Sequence, residues 1–280
     1  MTTSPGGLAQ IACLLELTAR KPGNVHRSAD FEGDAHYLDF ALSAGAIAGP
    51  LDRARSIGVG RSVLEAVEAT RRVVATNTNL GIVLLLAPLA AVPEGTALGP
   101  GVAEVLARTT VEDAALVYRA IRLARPGGLG SVADQDVTAE PTIPLVEAMR
   151  LAAGRDLVAR QYAGGYADVF GLALPALAEG IAAGRGIESA IVGAYLATLA
   201  AVPDTLIARK RGRSVAEEAS RRAGEAIRSG DLDGLDAWLR GDGHARNPGA
   251  TADLIAAALF AALVDGTIPL PVRPGDWLGA

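Results

Sequence analysis

Cysteine is almost absent from this sequence: Cys13 is the single one among 280 residues. One cysteine cannot form an internal disulfide or build a cysteine-based zinc cluster. The three histidines form no closely spaced pair, so a histidine-based zinc site is also disfavoured. A chain without disulfides is typical of a reducing compartment, and we therefore expect a cytoplasmic protein.

Aromatic residues are also few, at 4%, whereas half of the residues are hydrophobic. The core must therefore use mainly alanine, leucine, valine and isoleucine, which suits closely packed helices better than a β-sandwich. The longest apolar runs, 80–92 and 254–264, are shorter than the ~20 residues that span a bilayer, and the N-terminus lacks the pattern of a signal peptide. The net charge of -5 gives no general attraction to nucleic acid or an anionic membrane. We expect a soluble protein with neither as partner.

Helical periodicity runs through most of the chain, and no segment of length alternates like a half-buried strand. The pattern, with its glycine and proline breaks, predicts helices at 11–18, 35–49, 62–74, 80–92, 102–106, 111–123, 143–153, 170–183, 187–201, 215–229 and 254–264. The second should end at Pro50. The helices at 80–92 and 254–264 are apolar on every side, which is typical of central helices. We therefore predict an all-α fold: a single compact multi-helix domain over 1–280 with two central apolar helices.

A first polar cluster lies around the loop after the first predicted helix. It comprises Glu16, Lys21, Gly23, Asn24, His26, Arg27, Asp34, His36 and Asp39. His36 and Asp39 are three residues apart and would share a helix face. Carboxylates such as Asp34 and Asp39 suit Mg²⁺, which prefers oxygen ligands and phosphates. A solvated loop is the alternative interpretation of Lys21, His26 and Arg27.

Polar residues also precede both apolar helices. Asn77, Thr78 and Asn79 stand before the first. The stretch 247–253 stands before the second and contains Gly249, Thr251 and Asp253. Such residues cap the unpaired amides of a helix start, and a helix start can also bind an anion. We predict that the two starts form one shared site if both helices begin at the same end of the bundle.

A basic run follows a third polar start. The residues are Asp204, Thr205, Arg209, Lys210, Arg211 and Arg213. Four cations within five residues of an acidic chain predict a local polyphosphate site, and a solvated charged face is the alternative. Nucleotide binding here would use neither a Rossmann fold nor a P-loop, because the sequence contains neither glycine-rich motif.

Four segments, in this order, resemble the triphosphoribosyl-dephospho-CoA synthases. Glu16 with Lys21-Pro22-Gly23 and Arg27 is similar to the family's Glu…Pro-Lys-Pro-Gly-Leu-Val-Asp-Arg. Gly33-Asp34-Ala35-His36 through Asp39 is similar to Gly-Ala-His-x-Asp-Met, and Asn77-Thr78 to the start of Asn-Thr-His-Lys-Gly. Asp204-Thr205 with Arg209 is similar to Asp-Thr-Asn…Arg, and 248–254 to Pro-Gly-Gly-Ser-Ala-Asp-Leu. The last match is the most specific.

The chain departs from the family pattern at three places. Asn79-Leu80 stands where the family has His-Lys, which removes a cation, Leu206 replaces an asparagine, and Ala250 replaces a glycine. The chain is therefore similar to a divergent branch of the family.

The resemblance implies an all-helical, Mg²⁺-dependent transferase that takes ATP and dephospho-CoA, releases adenine, and joins the triphosphoribosyl group to a ribose hydroxyl of the acceptor. It implies catalytic roles for Asp34, Asp39, Asp204 and Asp253, and metal binding by Asp34, Asp39 and Asp204. The implied nucleotide-binding residues are Glu16, Lys21, Gly23, Arg27, His36, Asn77, Thr78, Asn79, Thr205, Arg209, Lys210, Gly249 and Thr251.

Three alternatives stay open at this point. The acceptor could belong to another cofactor pathway, an Asp-rich ADP-ribosyl hydrolase would use similar residues with water, and a helical scaffold would use them only as caps and surface charges. Oligomeric state is open as well, with a homodimer among the options.

Overall fold

The structure, a computed structural model, describes residues 3–31, 35–127 and 134–278. Its helices are α1 (Pro5–Thr18), α2 (Tyr37–Ala46), α3 (Ala48–Asp52), α4 (Ala54–Ile57), α5 (Val59–Val73), α6 (Leu80–Ala90), α7 (Leu98–Ala107), α8 (Val111–Ala124), α9 (Leu145–Ala152), α10 (Leu157–Ala163), α11 (Leu174–Ala182), α12 (Ile187–Ala201), α13 (Thr205–Arg211), α14 (Arg213–Ser229), α15 (Leu232–Arg240), α16 (Gly249–Val264) and α17 (Pro274–Leu278). A π-helical segment, Val169–Ala173, precedes α11, and a short strand β1, Gly241–His244, follows α15. The all-α prediction is confirmed.

The chain divides into two compact units, and neither is a continuous stretch of sequence. Unit 1 comprises Met1–Ile11 and Leu38–Ala167, and unit 2 comprises Ala12–Tyr37 and Asp168–Ala280. The single domain over 1–280 stays a prediction.

Unit 1 contains α6, the first of the two apolar helices, which packs against α5, α7 and α10. All its residues but Gly81 are buried. Pro88 lies inside this helix and has no N–H to donate to the carbonyl of Leu84, four residues earlier. The Tyr162 hydroxyl donates to that carbonyl instead, at 2.6 Å. A tyrosine from α10 thus satisfies the acceptor that the proline leaves open.

Unit 2 contains α16, the second apolar helix, which contacts the π-helical segment, α11, α12 and α13. Its residues are nearly all buried, including every residue from Leu254 to Leu263. Both helices that the sequence marks as central are therefore core helices, one in each unit.

Helix boundaries correct the sequence prediction at two places. The helix expected at 35–49 is two helices, α2 and α3, and Pro50 lies inside α3 instead of ending a helix. Pro50 occupies the first turn, where a missing N–H costs nothing because first-turn amides have no intrahelical acceptor. The sequence pattern predicts no helix between 229 and 254, whereas the structure has α15 there. The start of α15 is capped by Asp231, whose Oδ1 accepts from Gly234 N at 2.9 Å.

The start of α16 is a further correction. This helix begins at Gly249, five residues before the predicted start at Leu254. Thr251 and Asp253 therefore lie inside the helix and not in a polar segment in front of it.

Within the described ranges, no single helix is long and apolar enough to cross a membrane; α12 and α13, bent by 55° at their junction, would pass together by length and composition alone.

Candidate active site

The loop that follows α1 in unit 2 carries the first matched motif, and Lys21 in it points into the protein. Its side chain is fully buried, and its ammonium lies 3.0 Å from Glu16 Oε1. It also donates to the carbonyls of Glu16 and Ala19. Burial lowers the pKa of Lys21 and raises the pKa of Glu16, while the attraction between the two charges opposes both shifts. Lys21 and Glu16 thus form an internal ion pair at the base of the loop.

The next residues of the loop are held by distant helices of the same unit. Pro22 O accepts from the Tyr195 hydroxyl at 2.8 Å, and Gly23 N donates to Asp236 Oδ1 at 2.7 Å. Gly23 has a φ of +72°, and a Cβ there would lie 2.5 Å from Leu239 Cβ. Both the left-handed backbone and the close approach require glycine. The motif is therefore a fixed structural element.

Arg27 and Glu188 form a bidentate ion pair on the outer side of this loop. The two distances are 2.6 Å from Nη1 to Oε1 and 2.9 Å from Nη2 to Oε2. Arg20 donates to the same carboxylate through its backbone N and its Nε, at 3.1 and 3.3 Å. Burial pushes the pKa of Glu188 upward, but the hydrogen bonds from Arg27 and Arg20 outweigh it and bring that pKa below its ordinary value. This planar pairing fixes the guanidinium of Arg27.

His26 is buried in the same loop, close to several cations. Burial lowers its pKa to about 4, with the positive charges of Arg240 and Lys21 acting in the same direction. Its Nδ1 lies within hydrogen-bonding distance of Ser28 N and Oγ, at 3.3 and 3.2 Å. The imidazole is therefore neutral at pH 7.

A chain of hydrogen bonds connects this loop with the two C-terminal matched segments. Asn24 Nδ2 donates to Asn247 Oδ1 at 2.9 Å, and Asn247 Nδ2 lies 2.6 Å from His244 Nε2. Lys210 Nζ in α13 donates to the His244 carbonyl at 3.1 Å. Segments far apart in sequence thus meet within unit 2.

Asp204 joins the starts of two helices, α13 and α16. Its Oδ1 accepts from Leu206 N at 2.8 Å and Ile207 N at 3.1 Å, and its Oδ2 accepts from Thr251 N at 2.7 Å and Thr251 Oγ1 at 2.8 Å. The side chain has no exposed surface, and burial raises its pKa although the hydrogen bonds oppose that shift. Both oxygens are therefore committed to the two helix starts, an arrangement that does not favour metal binding by Asp204.

Asp253 is the other carboxylate of the matched C-terminal segment. It is half-buried and is the fifth residue of α16. Its charge helps to raise the pKa of the buried Cys13 thiol, after burial itself and the charge of Glu16. Asp253 therefore lies near enough to Cys13 in α1 for its charge to act on that thiol. Gly249, the first residue of the same helix, would place a Cβ 2.6 Å from Leu206 Cδ2.

The basic run extends from α13 to Arg213, the first residue of α14, and at least two of its arginines form ion pairs. Arg211 pairs with Asp242, and Arg213 Nε lies 2.8 Å from Glu217 Oε1. Thr205 is the first residue of α13, and Arg209 lies on it in a half-buried position. Lys210 and Arg211 thus lie beside β1, which contains Asp242 and His244.

An open cleft of about 660 Å³ lies beside the motif loop within unit 2. Arg20, Pro22 and His26 form one wall, and α12 forms another through Glu188. Side chains of α15 and Trp277 of α17 complete the lining. This volume is in the range of small-molecule pockets, about 300–1,000 Å³.

Unit 1 holds a separate polar cluster at the start of α6. Asn77 Oδ1 accepts from Leu80 N at 3.2 Å and caps the helix. Thr78 Oγ1 lies 2.5 Å from Ser43 Oγ, which donates to the Asp39 carbonyl at 2.6 Å. Asn79 Nδ2 donates to Thr70 Oγ1 at 3.1 Å. A site shared by the starts of α6 and α16 stays a prediction.

The described residues contain no group of three or more His, Cys, Asp or Glu side chains that could hold a metal ion. Asp34, one of the predicted metal ligands, lies outside the described residues. His36 is exposed, and its Nδ1 lies 3.6 Å from Asp30 Oδ2. The described side chains thus do not by themselves form a Mg²⁺ site, and Mg²⁺ binding stays a prediction.

Sequence reasoning missed Glu188, Asp236 and Arg240, which hold the motif loop. Arg240 contacts Asp236 at 2.9 Å and donates to the Asn24 carbonyl. Glu188 carried a usable signal, because it is the single acidic residue in the otherwise apolar α12. Asp236 and Arg240 lie in α15, a helix that the sequence pattern does not predict.

The sequence matches the family described as ATP:dephospho-CoA triphosphoribosyl transferase over residues 2–270. Among solved structures, the chain is similar to an Archaeoglobus fulgidus protein provisionally assigned as a triphosphoribosyl-dephospho-CoA synthase, with 28% identity and a TM-score of 0.67. That likeness covers 80% of this chain and 98% of the other. No curated protein matches. Since the family match spans nearly the whole sequence, the chain belongs to the ATP:dephospho-CoA triphosphoribosyl transferase family, and it is a triphosphoribosyl transferase.

Proposed function

We propose that unit 2 carries the nucleotide site of this transferase, at the motif loop 21–27 and the adjoining starts of α13 and α16. There the triphosphoribosyl group of ATP is transferred to a ribose hydroxyl of dephospho-CoA or of a related acceptor. The observation that supports this is the link from Asn24 through Asn247 and His244 to Lys210. It brings the motif loop together with Asn247 and Lys210, which directly adjoin the two C-terminal matched segments, and it spans more than 180 residues of sequence.

The reaction exchanges one bond at the anomeric carbon of the ATP ribose. The C1′–N9 bond breaks, adenine leaves with the bonding electron pair and takes up a proton, and the acceptor oxygen forms a new bond to C1′ and loses its proton. Such a displacement develops oxocarbenium character, which a nearby carboxylate can stabilise. The protein must therefore supply a carboxylate near C1′ and cations near the triphosphate.

Asp253 is the described carboxylate that best fits the first role. It is half-buried near the start of α16 and therefore within reach of a substrate, whereas Asp204 has no exposed surface. Asp39 lies in the first turn of α2 in unit 1 and stays a predicted catalytic residue, as does Asp34. We assign Asp204 a positioning role: it fixes the helix turn that carries Thr251 and Asp253.

Arg27, Arg209 and Lys210 are the proposed phosphate-binding cations. The side chain of Arg27 is one-third exposed, and Lys210 and Arg209 lie on the basic helix α13. Lys21 differs, because its ammonium is buried against Glu16 and the loop carbonyls. We propose that Lys21 supports the loop from within. Mg²⁺ would then arrive with the triphosphate, since it usually binds through substrate phosphates and waters with few protein ligands.

The test of the reaction is product analysis by mass spectrometry on the purified full chain. ATP, dephospho-CoA and Mg²⁺ together should give equimolar adenine and a triphosphoribosylated acceptor. Omission of Mg²⁺ should reduce turnover, and a panel of other ribose-containing acceptors would define the acceptor class. Adenine released at the same rate without acceptor would indicate a hydrolase, and this outcome would overturn the proposal.

Asp253→Asn tests the catalytic carboxylate. The substitution keeps the side-chain volume, so the free energy of unfolding should change by less than about 1 kcal/mol, the usual size of a lost helix-dipole interaction. Turnover should fall at least about 100-fold, the lower range of general acid–base contributions. Asp265→Asn, at the other end of α16, is the matched control and should keep full turnover. An active Asp253→Asn enzyme would remove Asp253 from the reaction.

A further inference from the structure

The far wall of the cleft lies outside the family match. That match ends at residue 270, whereas α17 (Pro274–Leu278) follows it and contributes Trp277 to the lining. Trp277 is one of two tryptophans in the chain. An aromatic ring on a small-molecule cleft is a typical stacking surface. This part of the cleft is therefore a feature of this chain beyond the family pattern.

The opposite wall is smooth because α12 has a glycine there. Gly193 lies on the exposed side of α12, and a Cβ at this position would meet no atom within 4 Å. Val192 and Leu196 line the cleft on either side of it. An apolar strip with open space above a helix backbone leaves room for a flat ligand.

The charges of the cleft argue against a triphosphate as the occupant. Glu188 is paired with Arg27, and Asp236 is paired with Arg240, so these charges are balanced. Asp233 adds an exposed carboxylate at the start of α15. Arg20 also lines the cleft and pairs with Glu188, so the cations and carboxylates around the cleft nearly cancel. A phosphate chain would therefore gain no net attraction here, whereas an uncharged ring with amino groups would find hydrogen-bond acceptors.

Arg27 lies next to the Trp277 ring and borders it on one face. The guanidinium carbon of Arg27 lies over the Trp277 ring at 6.0 Å from its centroid. This distance is at the outer limit of a cation–π contact, so the two side chains are neighbours with no room for a ring between them. The bidentate pairing with Glu188 uses two of the five N–H groups of Arg27 and holds its guanidinium beside the Trp277 ring.

We propose that this cleft binds the uncharged purine ring of a substrate, stacked on Trp277 above the open strip at Gly193. The proposal rests on the function above, because both substrates of that reaction carry adenine. The ring could come from ATP, the donor whose adenine leaves, or from dephospho-CoA, the acceptor. Stacking a base on an aromatic side chain is worth about 10- to 100-fold in affinity.

Binding is measured first, without turnover, by tryptophan fluorescence of the Trp238→Phe variant, in which Trp277 is the remaining tryptophan. Free adenine should quench its emission saturably, and sodium triphosphate should not. Gly193→Leu should weaken adenine binding at least tenfold, because its side chain extends into the open space over α12. Gly99→Leu is the matched control, since Gly99 is a helical glycine in unit 1 that also has nothing within 4 Å of a Cβ. Unchanged adenine binding by Gly193→Leu would overturn the proposal.

Kinetics of Trp277→Ala then identify the source of the ring. A tenfold higher KM for ATP alone assigns the cleft to the donor, and the same rise for dephospho-CoA alone assigns it to the acceptor. Trp277→Phe should restore most of either effect. Normal KM values for both substrates, together with unquenched Trp277 emission, would refute purine binding in the cleft but leave the proposed transferase function intact. Adenine quenching in a chain that transfers nothing would instead overturn the function and support the cleft.

Discussion

The two units bury different kinds of polar side chain. Among the described residues, all buried acidic and basic side chains belong to unit 2, and they are Glu16, Lys21, His26, Asp168, Glu188 and Asp204. The buried polar side chains of unit 1 are uncharged: Ser43, Ser62, Thr70, Thr78, Asn79, Thr109 and Gln161. A buried charge is tolerated only with a partner or several hydrogen bonds. Unit 2 therefore depends on specific pairings, whereas unit 1 depends mainly on apolar packing.

The two apolar helices show the same contrast at their starts. α6 is capped locally by Asn77, three residues before the amide that it accepts from. The start of α16 is satisfied by Asp204, which lies 47 residues earlier than Thr251 in the sequence. Two similar sequence patterns thus satisfy their first-turn amides differently. In unit 1 the acceptor is a nearby uncharged side chain, and in unit 2 it is a carboxylate distant in the sequence. Four experiments on the free energy of unfolding would test this comparison.

The largest loss should come from Asp204→Ala. The substitution leaves the amides of Leu206, Ile207 and Thr251 without their acceptor in a buried place. Each such group costs about 1–3 kcal/mol, and we expect a total of about 4 kcal/mol after local relaxation. Urea-induced unfolding of the variant and the native chain measures it. A loss below about 1 kcal/mol would show that this remote cap is no stronger than a local one.

Removal of one charge from the internal ion pair should cost slightly less. Lys21→Met leaves Glu16 buried without its counter-ion, and we expect a loss of about 3 kcal/mol. The double variant Glu16→Leu with Lys21→Met should recover most of it, because replacing a buried pair by apolar residues is often neutral. Denaturation midpoints of the three proteins measure the coupling. A double variant as unstable as the single one would contradict this account.

Acid should weaken unit 2 through His26. Its folded pKa of about 4 lies below the unfolded value near 6.5, so the unfolded chain binds a proton first as the pH falls. The stability present at pH 7 is thus lost between these values, by at most about 2 kcal/mol at pH 5. His26→Gln should flatten the slope of the free energy of unfolding against pH between 5 and 7. Equal slopes for His26→Gln and the native chain would refute the role of His26.

The smallest effect belongs to the local cap in unit 1. Asn77→Ala should cost about 1 kcal/mol, the usual worth of an N-cap, and Asn77→Ser should keep most of it because serine caps about as well. Thermal unfolding of both variants measures the difference. If Asn77→Ala matched Asp204→Ala, the contrast between local and long-range caps would fail.

The sequence predicted features that depend on local pattern. The apolar character of 80–90 and 254–264 sufficed to identify both core helices, since an all-apolar helix must be surrounded. The sequence pattern did not locate the start of α16. Gly249 and Asp253 resemble capping residues in front of a helix, whereas the residue that caps this helix, Asp204, is distant in the sequence. For the same reason the matched motifs indicated the candidate site but not Glu188, whose partners Arg20 and Arg27 are more than 160 residues away. Pattern shows which residues belong to a helix, whereas long-range hydrogen bonds are decided by tertiary packing.

Unit 2 is built from two separate stretches of the chain, and this affects when it can fold during synthesis. Its segment 12–37 is translated early, yet Glu188, the partner of Arg27, follows 161 residues later. At about 5–20 residues per second, the ribosome needs roughly 8–30 seconds to supply that partner. During this time Lys21 and Arg27 stay outside their final surroundings, and the same holds in any C-terminally shortened chain that lacks Glu188. A fragment that begins at Asp168 would have the opposite defect, because Glu188 would be present without either arginine.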